Sequence, residues 1–335
     1  LRGGSCKATF FRRWIFTLEN VMRAVILDLE GLETFDLEPI QQQLDQLVTY
    51  DLTAADQVLE RIQGFDIVIT NKTPLSRETI IGSDSLKYIC VLATGTNVVD
   101  KEAAAEAGIP VSNCVAYGVD SVVQHVWSLI LMLHTNLVAY HNDVQGGRWQ
   151  QSGQFCFFDH PIIELKGRTL GILGYGNLGQ GVARIAESFG MNVIICERIG
   201  SSGTPGRVSF EKFIKQADVI SLHCPLTDAT ANLFTAGTFQ HMKSSAFLVN
   251  AARGGIVNES DLAEALRSGD IAGAATDVLT EEPPKYGNVL LDSSIPNLIV
   301  TPHIAWGSAE ARMRIIDQTA ENIRAFKQGK LLRSV

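Results

Sequence analysis

The chain has 335 residues, 46% hydrophobic and 19% charged, with a formal net charge of −8. This length is about two domains, with ample material for buried cores. The acidic balance argues against nucleic acid or an anionic membrane surface as a partner, since either needs clustered Lys and Arg, and it leaves a small-molecule ligand as the expectation.

Residues 1–21 fit nothing that follows. Met22 directly precedes a strand-like run, RAVILDL, which makes Met22 a candidate true start. A transit peptide is the competing reading, because Arg2, Lys7, Arg12 and Arg13 face only one acid, Glu19. The segment is set aside from the fold as an extra N-terminal piece.

From Arg23 the chain alternates strand and helix: RAVILDL, VTYDL, GFDIVITN and KYICVLATG, then a helix through Lys101 to Ala107, then IPVSN. Such alternation implies a parallel sheet covered by helices. Gly108 and Pro110 close the Lys101 helix, Gly just past its end and Pro beyond. After Tyr117 and Gly118 the apolar run predicts one buried helix of about 25 residues. Its most apolar part, Val122 to Tyr140, contains Gln124, His125, His134 and Asn136, so a core helix is expected rather than a membrane span. His125 and His134 are read as core or interface residues.

Thr169 to Cys196 reads as strand, glycine turn, helix and strand. TLGIL and NVIIC are β-rich, and LGQGVARIAESFG repeats its apolar residues at helical spacing. The turn holds Gly174, Gly176 and Gly179, with the acidic Glu197 18 residues beyond Gly179. In a dinucleotide-binding turn the first glycine permits the bend, the second lets backbone approach a pyrophosphate, and the third allows close helix–strand packing. The phosphates then lie on the helix N-terminus, and Glu197 accepts hydrogen bonds from the ribose hydroxyls. FEKFIKQA, ATANLFTAGTFQHM and SDLAEALRSG follow as helices, and DVISLHC, AFLVNAA, GAATDV and NLIVTPH as strands. The final helix, Ser308 to Lys327, comes after the sheet is complete and is expected to return to the first domain.

The fold expected is therefore α/β, two doubly wound parallel-sheet domains, a Rossmann-type cofactor domain and a flavodoxin-like substrate domain. The substrate domain is discontinuous, 22–120 and 304–335, around a dinucleotide-binding domain at 121–303. Six scattered cysteines (Cys6, Cys90, Cys114, Cys156, Cys196, Cys224) with no CxxC pair are the usage of a reducing cytosol, so a cytoplasmic location is expected. No metal site is expected.

Ligands of open α/β sheets bind beyond the carboxyl ends of the strands, so polar residues there are the candidates. Arg253 follows LVNAA and precedes two glycines. Asp277 ends ATD, Glu282 lies in a proline-bounded loop, and His303 follows IVTP. An arginine suits a carboxylate, an imidazole suits proton transfer near neutrality, and a carboxylate orients that imidazole and favours its charged form. Together they suit reduction of a 2-oxo acid by a nicotinamide, with His303 protonating the carbonyl oxygen. His223, in SLHCPLT, has a weaker claim as a residue lining the cofactor cleft.

From Met22 to the C-terminus the chain resembles the D-isomer specific 2-hydroxyacid dehydrogenase family, through LATGTNVVD, GILGYGNLGQ, DVISLHCPLT, LVNAARGGIVNESDLAEALRSGDIAGAATDV, EEPP and TPHIAW. The resemblance implies Arg253 as binder of the substrate carboxylate and carbonyl, Glu282 as partner of His303, and His303 as general acid/base. It implies that Thr94 and Gly95 hold the substrate carboxylate. It also implies that Asn177, Leu178, Glu197, Cys224, Ala251 and Asp277 contact the cofactor, beside the glycines and the Arg253 and His303 side chains. Further phrases, SVVQH and FCFFDHPIIELKGRTLGILGYGNLG, imply hydroxypyruvate and D-glycerate as the substrate pair, with glyoxylate as a second substrate. A homodimer burying the helix after Tyr117 is implied as well.

One departure stands out: the family's ribose-binding acid is usually Asp, and here Glu197 is followed by Arg198. NAD is favoured and NADP stays open. A phosphorylated substrate such as 3-phosphoglycerate would need a basic cluster near LATGTN that the chain lacks. A cofactor-sensing corepressor-like protein is the alternative from another class, and a rate assay separates it from an enzyme.

Overall fold

The computed structural model describes residues 21–335, so the two readings of the N-terminal segment lie outside the described residues. It divides into two compact units, one of residues up to Tyr117 together with Arg312–Val335, the other Gly118–Ala311. The return to the first unit thus falls at Arg312 rather than at 304, and the departure at Gly118 rather than 121.

The first unit is a five-stranded parallel sheet of β1 (Arg23–Ile26), β2 (Gln46–Thr49), β3 (Ile67–Thr70), β4 (Tyr88–Val91) and β5 (Val111–Ser112), in the order β2-β1-β3-β4-β5. This is the flavodoxin-like order. The helices α1 (Glu38–Gln41), α2 (Val58–Ile62), α3 (Arg77–Ile81) and α4 (Lys101–Glu106) connect the strands. IVIT of β3 and YICV of β4 are buried at every position, as expected of central strands covered on both faces. Helix α4 starts where the Asp100 side chain accepts from the Ala103 N–H at 2.9 Å, and Gly108 follows it at φ +70°.

In the second unit the helices α5 (Val119–Thr135), α6 (Leu137–Gln145) and α7 (Arg148–Ser152) precede the sheet. The single long helix expected here is broken. Asn136 adopts a left-handed conformation (φ 50°) and its Nδ2 donates to the Pro161 carbonyl at 2.6 Å, so α5 and α6 meet at 64°. Asparagine is among the few non-glycine residues that enter this region readily. Val123, Val126, Leu129, Ile130, Leu133 and His134 on α5 are buried, while α6 buries none of its residues. Among the described residues no single helix is long and apolar enough to cross a membrane; the bent pair passes by length and composition alone.

There follow β6 (Thr169–Leu173), α8 (Asn177–Ser188), β7 (Asn192–Ile195), α9 (Phe210–Gln216), β8 (Val219–Leu222), α10 (Ala236–Phe239), β9 (Phe247–Asn250), α11 (Glu259–Ser268), β10 (Gly273–Thr276), β11 (Leu298–Val300) and α12 (Ala309–Lys327), the last crossing into the first unit. The sheet order is β11-β10-β9-β8-β6-β7, all parallel. A lone parallel bridge from Cys196 to Val208 extends it past β7. The strand order therefore reverses between β6 and β8, the switch point at which such sheets bind ligands. ATANLFTAGTFQHM forms only the single turn of α10, because Phe234 instead bridges to Val257.

Apolar clusters cover both faces of this sheet. One contains Phe213, Phe234, Phe239 and Leu262; the other joins α5 and α8 through Val123, Trp127, Val182 and Ala186. Gly181 makes the second contact possible, since a Cβ there would lie 2.6 Å from Val123 Cγ2.

Candidate active site

The glycine turn leaves β6 at Gly174 (φ +97°), where a Cβ would stand 2.5 Å from the His223 carbonyl carbon and 2.6 Å from the Cys224 nitrogen. Residues 223 and 224, just past β8, therefore run against the turn with no room for a side chain. A Cβ on Gly179 would lie 2.2 Å from the Gly174 oxygen, whereas one on Gly176 would meet nothing within 4 Å. The three glycines thus divide as the motif requires: bend, open approach, close packing. Helix α8 begins at Asn177 and its N-cap Gly176 makes no side-chain cap, which leaves first-turn N–H groups for an anion. Glu197 follows β7, 8% exposed, and its Oε1 accepts from the Thr204 N–H at 2.9 Å. Arg198 is exposed. Burial lowers the His223 pKa to about 4 and raises the Cys224 thiol to about 11. These residues fit a dinucleotide.

Asn250 ends β9 and folds the next turn around itself. Its Oδ1 accepts from Ala252 N at 3.0 Å and its Nδ2 donates to the Arg253 carbonyl at 2.9 Å. Ala251 is half-buried, and Arg253 projects outward with Nη1 on the Ala252 carbonyl at 2.7 Å. Gly254 behind it is buried against the backbone of Leu279 and Thr280. That backbone leads into Glu282, whose Oε1 accepts from Leu279 N at 2.8 Å. Glu259, on the first turn of α11, clamps the same loop, accepting from Thr280 N at 2.7 Å and from Asn288 Nδ2 at 2.8 Å. Asn250 and Glu259 went unread in the sequence. An asparagine ending an apolar strand just before AARGG is the signal that marks the first.

Glu282 Oε2 lies 2.7 Å from His303 Nδ1, with the two side chains 34% and 35% exposed. A carboxylate can only accept, so Nδ1 carries the hydrogen, and Nε2 is left as the ring atom for proton exchange. His303 itself is held at φ 53°, its N–H donating to the Asp277 carbonyl at 2.8 Å and the Thr301 carbonyl at 3.0 Å.

Asp277, expected as a cofactor contact, has a structural task within the protein. It is 1% exposed, and its carboxylate accepts from Thr301 Oγ1 at 2.6 Å, Ile304 N at 3.0 Å and Ala305 N at 2.9 Å. Its carboxylate serves the turn around His303. His125, expected in the core or at an interface, is half-buried at this cluster, and His134 is buried.

In the first unit, Thr94 and Gly95 follow β4. The Thr94 hydroxyl donates to the Cys114 carbonyl at 3.0 Å. Among the described residues no group of three or more His, Cys, Asp or Glu is placed to hold a metal ion.

An acid-paired imidazole and an outward arginine at the strand ends of a sheet with a dinucleotide turn are what a nicotinamide-dependent dehydrogenase requires. Comparison with known proteins narrows that class. The model of the family described as "D-isomer specific 2-hydroxyacid dehydrogenase, NAD binding domain" matches residues 127–305. Glycerate dehydrogenase of Methylorubrum extorquens is 47% identical over 264 residues, covering 79% of this chain and 83% of that protein. Hydroxypyruvate reductase of Blautia hydrogenotrophica is 39% identical over 268 residues, covering 78% and 82%. A solved structure from Thermus thermophilus superposes with a TM-score of 0.81 at 29% identity, covering 94% of this chain and all of that one. The chain belongs to the D-isomer specific 2-hydroxyacid dehydrogenase family, and it is an NAD-dependent enzyme of that family.

Proposed function

We propose that the enzyme reduces hydroxypyruvate to D-glycerate with NADH, runs the reverse reaction, and accepts glyoxylate as a second substrate. The observation that carries the acid/base role is the 2.7 Å pair between His303 Nδ1 and Glu282 Oε2. The substrate is supported by the similarity to a glycerate dehydrogenase and a hydroxypyruvate reductase. When bound, the nicotinamide supplies the hydride. Arg253 binds the substrate carboxylate and carbonyl oxygen, its planar fork matching a carboxylate in two places. His303 delivers its Nε2 proton to the carbonyl oxygen in reduction and recovers it in oxidation. Glu282 holds the ring in one tautomer and balances the charge of the imidazolium. Thr94 and Gly95 take part in holding the carboxylate. Gly174, Gly176, Asn177, Leu178 and Gly179 hold the pyrophosphate, Glu197 the ribose, and Cys224 and Ala251 line the remainder of the cofactor site.

The protein is read as a cytoplasmic homodimer. Leu137, Val138, Phe155, Phe158 and Ile162 leave apolar surface exposed around α6 and the loop beyond α7, Phe155 being 94% exposed. The cysteines among the described residues are free thiols, in keeping with a reducing compartment. Rates with hydroxypyruvate, glyoxylate, pyruvate and 3-phosphohydroxypyruvate, each with NADH and NADPH, test the assignment. Hydroxypyruvate with NADH is expected to give the highest kcat/KM, and a preference for another oxo acid or for NADPH sinks it. Sedimentation and cell fractionation test the dimer and the location.

A further inference from the structure

The turn that carries His303 is held from behind by a chain of three side chains. Asp277 is buried and only accepts hydrogen bonds, so the short 2.6 Å contact consumes the one hydroxyl proton of Thr301. Thr301 Oγ1 also lies 3.1 Å from His125 Nε2. With its proton committed to Asp277, that oxygen has to accept, and His125 Nε2 has to carry the hydrogen. The same Nε2 stands 3.5 Å from Asp277 Oδ1. Beyond Asp277, the backbone N–H groups of Ile304 and Ala305 converge on its two oxygens. They immediately follow His303, whose φ of 53° is a conformation that a non-glycine residue keeps only when its surroundings enforce it.

We propose that His125, on α5, is a positioning residue for the reaction. Its Nε2–H fixes the Thr301 hydroxyl so that the hydroxyl proton points at Asp277, and Asp277 so ordered holds the 303–305 backbone that aims the His303 imidazole. Hydrogen bonds in such a low-dielectric chain polarise one another, so losing the outermost donor weakens the inner contacts. A histidine that merely filled space would be replaced by leucine without consequence for catalysis. The proposal rests on His303 being the acid/base.

The test compares wild type with His125→Leu, His125→Gln, Thr301→Val, Thr301→Ser and the His125→Leu/Thr301→Val double variant, with His303→Gln alongside. His125→Leu is expected to lower kcat by about tenfold, as for the loss of one hydrogen bond, with NADH affinity unchanged. His125→Gln, which places an N–H near the same point, and Thr301→Ser are expected to restore most of the rate. The double variant should be no slower than Thr301→Val alone, because both changes break one chain. In the protein without cofactor, 15N-histidine NMR should show the His125 proton on Nε2, and the His303 ring signals should shift in His125→Leu.

Wild-type kcat in His125→Leu with unmoved His303 signals overturns the proposal, as do independent, additive effects of the two changes. If His125→Leu fails to fold, a His125→Gln or Thr301→Ser variant as slow as Thr301→Val overturns it equally. Turnover retained by His303→Gln defeats the acid/base reading itself. A dead His303→Gln beside a fully active His125→Leu defeats only the role given to His125.

Discussion

Gly254→Ala should be far more damaging than a single methyl group suggests. A Cβ at this position would stand 2.0 Å from the Leu279 carbonyl carbon, 2.2 Å from its oxygen and 2.4 Å from Thr280 N. Non-bonded carbons pack at about 3.5–4.0 Å, so the two backbones have to part by roughly 1.5 Å. No rotamer relieves the clash, because every atom met is main chain. The displaced segment is either the turn carrying Arg253 or the strand end leading to Glu282, which is tied down by Leu279 N on Glu282 and Thr280 N on Glu259. A misplacement of about 1 Å at reacting groups costs on the order of 10² in rate, and overpacking costs about 1–3 kcal/mol of stability. Steady-state kinetics with hydroxypyruvate and NADH, thermal unfolding and NADH titration together read the effect. A fall in kcat/KM of about 10², in a protein that still folds and binds NADH, is expected. Wild-type kinetics in Gly254→Ala would refute the claim that this contact sets the spacing of Arg253 and Glu282.

Arg253→Ala should raise KM for the oxo acid by about 10- to 100-fold, the loss of a charge-assisted hydrogen-bonded contact. Arg253→Lys should recover only part of this, because an ammonium cannot engage a carboxylate in two parallel bonds. His223, its pKa lowered by burial from 6.5 to about 4, makes stability fall as pH drops through that window. There the unfolded chain takes up a proton that the folded ring refuses, at a slope of up to about 1.4 kcal/mol per pH unit. Urea melts at intervals between pH 7 and pH 4 should therefore show a smaller loss of stability in His223→Gln than in wild type.

Much of the architecture was legible because strand and helix periods alternate along most of each unit, interrupted only by the run α5–α7 and by the link from β10 to β11, which contains no α-helix. The glycine turn was legible because its three glycines, the following helix and Glu197 fall at fixed intervals. What escaped depends on partners distant in sequence. The break at Asn136 is invisible to periodicity, since apolar spacing continues through it, and it is set by one left-handed residue bonded to Pro161. The structural task of Asp277 escaped because its carboxylate accepts from Thr301, Ile304 and Ala305, more than 20 residues on. Glu259 carries no motif of its own, and only its two bonds to the 280–288 loop reveal it as a brace for the loop that holds Glu282.

The central claim is that His303, oriented by Glu282, gives the proton while the nicotinamide gives the hydride. Single-turnover oxidation of enzyme-bound NADH by hydroxypyruvate, in wild type and in His303→Gln, tests it most directly. The account predicts a rate lower by about 10²–10⁴ in the variant, with NADH binding preserved. Hydride transfer at the wild-type rate in His303→Gln would contradict it.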